Sequence, residues 1–159
     1  MVHHSKNPLY SLSQRERDVV NALRSGSRQR TELEVFVAGQ PSRLTAVLTV
    51  LTEVSIVVVS NDTVQLTDRG RSMLYVYFLD LKEFAPFEDI VDDILVLLAY
   101  FPRICSDLRG SLGMQTKSDH GVTAFGNLLD WLEEKGLIEI PDGYTCLLGP
   151  KVFEQTTAQ

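Results

Sequence analysis

Polar and apolar positions along this chain follow one order of elements, and that order occurs twice. In SLSQRERDVVNALRSG, Ser13 and Glu16 have the spacing of a capping box. Val19, Val20 and Leu23 form one helical face, and Gly26 ends it. RTELEVFVAG predicts a short second helix, with a capping pair at Thr31 and Glu34 and a stop at Gly39. In QPSRLTAVLTVLTEV, Pro41 suits the first position of a third helix. Leu44, Val47, Leu48 and Leu51 then fall at i, i+3, i+4 and i+7, on one face. SIVVVS and TVQL read as short strands around Asn61–Asp62, a tight hairpin signal. Thr67 caps a fourth helix, LTDRGRSMLYVYFLDL.

After that helix the order returns. PFEDIVDDILVLLAYF predicts a helix with Pro86 near its start and acids in its first turns. SDLRGSLG is a short helix, and GVTAFGNLLDWLEEKG a longer one that stops at Gly136. LIEI and YTCLL flank a second turn, PDG. The third helices and the hairpins recur after about 80 residues, a repeat of pattern rather than of residue identity. The expected organisation is residues 10–82 as module 1 with its apolar helix, 83–153 as module 2, and 154–159 as a tail.

SMLYVYFLDL is apolar nearly all the way round. Each large side chain buried contributes about 1.5–3 kcal/mol, so so many are not left in water. Three covers are open: a core shared by the two modules, a second subunit, or lipid. The segment joins the modules and is expected to carry protein contacts through Leu74, Tyr75, Tyr77 and Phe78.

Composition narrows the class. The chain has 159 residues, 44% of them hydrophobic. The longest apolar run, Ile94 to Phe101, is far short of the roughly 20 residues a spanning helix needs. MVHHSKNPLY lacks the hydrophobic region of a signal peptide, so a cytoplasmic protein without membrane contact is expected. Cys105 and Cys146 are the two cysteines, and His3, His4 and His120 the three histidines. They show neither the spacing of a metal site nor a disulfide framework, and read as small core cysteines in a reducing compartment. The net charge of −6 is uneven. Nine Lys/Arg face eight Asp/Glu up to Asp80, and six face thirteen beyond it, so the halves suit different partners.

No phosphate loop, nucleophile elbow or zinc-protease motif is present, and no cofactor, metal or catalytic residue is expected. Asp92–Asp93 and Glu133–Glu134 are neighbours on helices, about 100° apart, and read as solvated faces rather than paired carboxylates.

Three helices followed by a two-stranded wing is the winged helix-turn-helix order. VLTVLTEVSIVVVSNDTVQLTDRGR resembles the recognition helix, wing and Leu-Thr-x-x-Gly-Arg of MarR-like winged-helix regulators, and NLLDWLEEKGLIEIPDGYTCLL resembles the same element in generic form. The resemblance spans residues 10 to 150. It implies a mainly α (α+β) fold of two winged helix-turn-helix modules, each with a small hairpin wing, joined by the apolar helix. It also implies a non-enzymatic, homodimeric transcription regulator that binds double-stranded DNA.

In such a fold the third helix enters the major groove. Ser42, Ala46, Thr49 and Glu53 project opposite its core face, with Arg43 and Thr45 flanking. Arg43 has the fork that reads guanine, and Ala46 or Thr49 can meet a thymine methyl. Arg24, Arg28 and Arg30 lie just before the second helix and Thr31 at its start, placed for phosphate contacts that fix orientation. Module 2 has its core face at Val122, Phe125, Leu129 and Leu132, with Thr123, Asn127, Asp130 and Glu134 elsewhere, and its acids repel phosphate. Trp131 lies off that face and is either a protein anchor or covered within the chain. The alternative function is a tandem winged-helix scaffold subunit, similar to the kleisin-binding partners of condensin-like complexes or to subunits of membrane-sorting complexes.

Overall fold

The computed structural model describes residues 6–112 and 119–153, with side chains described outside 119–123. His3, His4 and the side chains of His120, Val122 and Thr123 lie outside the described residues. The chain is mainly helical with two small three-stranded antiparallel sheets. It divides into two compact units, Asn7–Phe78 and a second that starts at Leu79.

The first unit contains α1 (Gln14–Ala22), β1 (Arg28–Gln29), α2 (Arg30–Leu33), α3 (Pro41–Glu53), β2 (Val57–Ser60), β3 (Thr63–Leu66) and α4 (Asp68–Phe78). The Ser13 hydroxyl accepts from Glu16 N–H at 3.2 Å, and the Glu16 carboxylate accepts from Ser13 N–H at 2.7 Å, so the first capping box is formed. The second starts two residues earlier than the sequence suggests: Glu32, not Glu34, accepts from the backbone of Gln29, not Thr31. The reason is β1. Arg28 and Gln29 pair with Val64 and Thr63, which carries the backbone into α2 at Arg30. Asn61 and Asp62 both take positive φ, and Val57–Ser60 pairs with Thr63–Leu66 around them. That is the two-residue hairpin that twisted strands favour. The Thr67 hydroxyl accepts from Gly70 N–H at 2.9 Å, capping α4.

The apolar helix is shorter than its sequence suggests. It ends at Phe78, inside the first unit, rather than running on to Leu81. Met73, Leu74 and Val76 are buried, and Tyr75 and Tyr77 are half-buried. An element without a hydrophobic period supplies part of the cover: a 3-10 turn, Pro8–Ser11, that packs against α4. Asn7 holds it. Its side-chain oxygen accepts from Leu9 N–H at 3.0 Å and its nitrogen donates to the Met73 carbonyl at 2.8 Å.

The second unit contains α5 (Glu88–Tyr100), β4 (Arg103–Ile104), α6 (Cys105–Ser111), α7 (Asp119–Glu134), β5 (Ile138–Glu139) and β6 (Thr145–Leu148). A 3-10 turn, Leu81–Phe84, precedes them. Here α5 is the helix buried on most sides, with Val91, Asp92, Ile94, Leu95, Val96 and Leu98 all in the interior. Asp92 is therefore not on a solvated face. The elements follow the order of the first unit, and the sheets share a topology: β1-β3-β2 and β4-β6-β5. No single helix among the described residues is long and apolar enough to cross a membrane.

Candidate nucleic-acid interface

Helix α3 separates its faces cleanly. Leu44, Leu48 and Leu51 are buried, while Ser42, Arg43, Thr45, Ala46 and Thr49 are all exposed. The separation follows from the helical repeat, since the leucines recur every three or four residues and the other positions turn away from them. The two threonines on this face have their hydroxyls turned back on the helix. Thr45 donates to the Pro41 carbonyl at 3.1 Å and Thr49 to the Thr45 carbonyl at 2.8 Å. This back-bonding occupies their protons and leaves the methyl groups as their main offer to a partner.

Arg30 reaches this face from α2. Its guanidinium donates to the Thr45 hydroxyl at 2.5 Å, and its backbone N–H donates to the Asp62 carbonyl at 2.7 Å. One residue thus connects the second helix, the third helix and the hairpin turn. Beside it lies an open cleft of about 280 Å³, lined by Arg30, Thr45, Leu48, Thr49, Glu53 and Val59 among others. Glu53 is the acid at the far end of α3, more than two turns from Arg43.

The other arginines are engaged within the unit. Arg28 forms an ion pair with Glu32 at 3.5 Å and donates to the Ala22 carbonyl and the Ser25 hydroxyl. Both partners of the pair are half-exposed, so it is worth at most about 1 kcal/mol. Arg24 lies over the Phe78 ring at 4.9 Å from its centre and is half-buried. That sets it against the last residue of α4. Thr31 is exposed on α2. Arg28, Thr31, Arg43 and the small residues of α3 are therefore exposed members of the predicted set, Arg30 is half-exposed, and Arg24 is turned toward Phe78.

Of the predicted protein contacts, Leu74 belongs to the core of the first unit and has no area to offer a partner. Tyr77 stacks between Tyr10 and Phe78, at 4.9 and 5.1 Å between ring centres. Tyr75 is half-buried, and Phe78 is 50% exposed. Trp131 is half-buried and meets the buried Phe84 ring at 5.0 Å, a contact flanked by the Lys135–Glu83 ion pair. The core face of α7 is Phe125, Leu128, Leu129 and Leu132, and Asn127, Asp130 and Glu134 are exposed.

Sequence reasoning missed the cysteines. Cys105 and Cys146 are brought to 2.7 Å between sulfurs, so they are not isolated. Forty-one positions of separation hide such a pair until the β4–β6 register is known. No protein-family profile, curated protein or solved structure matches the chain.

Proposed function

We propose that this chain is a non-enzymatic, tandem winged-helix DNA-binding protein, a cytoplasmic transcription regulator that reads DNA with α3 of its first unit. One observation carries the reading: the first three turns of α3 expose small residues and one arginine, with a second arginine bonded onto them and the acid Glu53 only at the helix's last position. Small side chains let a helix approach base edges closely. Arg43, in the first turn, is positioned to fork onto guanine, while Ala46 and the methyl of Thr49 suit thymine. Arg28 and Arg30 then take phosphates, exchanging weak solvent-exposed partners for stronger charge-assisted ones. The second unit has acids on the exposed side of its own third helix, so its role is homodimer or protein contact.

The scaffold reading has an observation of its own. Val50, Val54, Val58 and Val59 are 37–41% exposed on α3, at its C-cap and on β2, and Val59 lines the same cleft. Valines there suit a protein surface better than a phosphate backbone. Fluorescence anisotropy of a labelled random-sequence duplex, titrated with the full chain across a salt series, separates the two. The regulator binds at low salt and weakens steeply as salt rises. A chain that binds no duplex at low salt is not a DNA-binding protein.

A further inference from the structure

We propose that Cys105 and Cys146 form a reversible intramolecular disulfide, formed by exchange with a small-molecule disulfide. The two residues reach each other through the sheet of the second unit. Arg103 and Ile104 of β4 pair with Cys146 and Thr145 of β6, and Cys105 N–H continues the ladder by donating to the Tyr144 carbonyl at 2.8 Å. Cys105 is the first residue of α6 and stands diagonally across from Cys146. Their sulfurs lie 2.7 Å apart, so bonding needs a further approach of about 0.7 Å.

The environments of the two thiols differ, and the difference sets the order of events. Cys105 is partly exposed, whereas Cys146 is fully buried. Burial pushes the Cys146 thiol well above its usual range, and its hydrogen bond with Cys105 adds to this. Cys105 is thus the sulfur that a solvent-borne reagent meets first. Its thiolate attacks one sulfur of a disulfide R–S–S–R. The R–S–S–R bond breaks, one R–S⁻ leaves with the electron pair and takes up a proton, and Cys105–S–S–R remains. Cys146 then gives up its proton and attacks the Cys105 sulfur, and the second thiol departs. The protein loses two electrons and two protons, and one R–S–S–R becomes two R–SH. Because Cys146 lies within bonding reach of the Cys105 sulfur, the second step is intramolecular.

The disulfide joins the start of α6 to the last strand of the sheet, across 41 positions of chain. It restricts the unfolded chain over that length. Oxidation therefore raises the melting temperature of the full chain, and reduction returns it.

The test equilibrates the full-length wild type with oxidised glutathione, quenches with acid, alkylates under denaturing conditions and measures intact mass. The expected product is monomeric on a non-reducing gel, two hydrogens lighter, free of alkyl groups, and cross-linked between the peptides that hold residues 105 and 146. Cys146→Ser should stop at a glutathione adduct on Cys105, and Cys105→Ser should react far more slowly, because its remaining thiol is buried. Wild type that keeps both thiols, accumulates glutathione adducts or forms intermolecular dimers overturns the proposal. That result needs only the wild type, so it stands even where a variant fails to fold.

Discussion

The amide of Asn7 uses both ends inside the first unit, accepting from Leu9 N–H and donating to the Met73 carbonyl while only 1% exposed. Removing it leaves two buried backbone groups without that partner. Asn7→Ala should cost about 1–3 kcal/mol, read as a lower urea midpoint at unchanged slope. Asp142 works in the open. Its carboxylate accepts from Tyr144 and Thr145 N–H at 3.0 and 2.6 Å, closing the turn between β5 and β6. The Thr145 side chain and these backbone donors hold its pKa below the ordinary carboxylate value. A depressed folded pKa contributes stability above the ordinary value, and loses it as pH falls through the lower one. Thermal melts along an acid series should show this loss. Asp142→Asn keeps an acceptor and should abolish that part of the acid dependence, whereas Asp142→Ala should lower stability at neutral pH too. Neither role was beyond the sequence in kind: Asn-Pro is a helix-start signal and Pro-Asp-Gly a turn signal. What the sequence withheld was the far partner. Met73 is 66 positions from Asn7, and no local period reports a bond of that span.

Two elements are closed by the same device. At the end of α3, Ile56 N–H donates to the Leu51 carbonyl and Ser55 N–H to Thr52, with Ser55 in the left-handed region at φ 61°. At the end of α7, Leu137 N–H donates to Leu132 and Gly136 N–H to Glu133, with Gly136 at φ 77°. Both are Schellman closures, and they recur after the same interval of about 80 residues as the hairpins. A residue with a Cβ costs about 1–2 kcal/mol in that conformation, and glycine does not. Ser55→Gly should therefore raise stability, by about 0.5–1 kcal/mol after glycine's larger unfolded-state entropy is subtracted. Gly136→Ala should lower it by about 1–2 kcal/mol, since its Cβ would meet only ordinary contact with Lys151 and the strain stands alone. Chemical denaturation of both variants measures the pair, and equal signs would refute the shared closure. The glycine stop was legible in the sequence and the serine stop was not, because serine has no preference for positive φ. β1 and β4 were illegible for another reason: at two residues each they are too short to show alternation, and only the third strand of each sheet reveals them. The leucine face of α3 was legible, because its thirteen residues hold three turns of an apolar repeat, but Val47, expected in that face, is only half-buried.

Across the whole molecule, the apolar surplus that first suggested a dimer through α4 is largely absorbed inside each unit. Large apolar side chains that stay exposed on the second unit include Phe101, Ile104 and Tyr144, at 56%, 47% and 61%. Ile104 pairs with Thr145 in the β4–β6 ladder, and Tyr144 is the residue just before it. If the chain is a homodimer, Phe101→Ser with Tyr144→Ser should turn it into a monomer by light scattering without changing its circular dichroism. A wild type that is already monomeric at high concentration removes the dimer from the proposal. Charge separates the remaining roles. Residues beyond Asp80 carry −7 (six Lys/Arg against thirteen Asp/Glu) and those up to it +1 (nine against eight), so an approach to DNA would be led by the first unit. Each phosphate neutralised adds about −0.9 to the slope of log affinity against log salt. Arg28→Ala and Arg30→Ala together should make that slope shallower by about 1–2 and weaken all duplexes alike. Arg30→Ala also frees the Thr45 hydroxyl, so some of its loss should be recovered by Arg30→Lys, which keeps a charge there. Arg43→Ala should act on choice of sequence, costing about 1–3 kcal/mol on preferred sites and little on random ones. Trp131→Ala removes packing against Phe84 and should lower the melting temperature while leaving the salt slope unchanged. If instead the slope responds to Trp131 and ignores the arginines, α3 is not the surface that meets DNA.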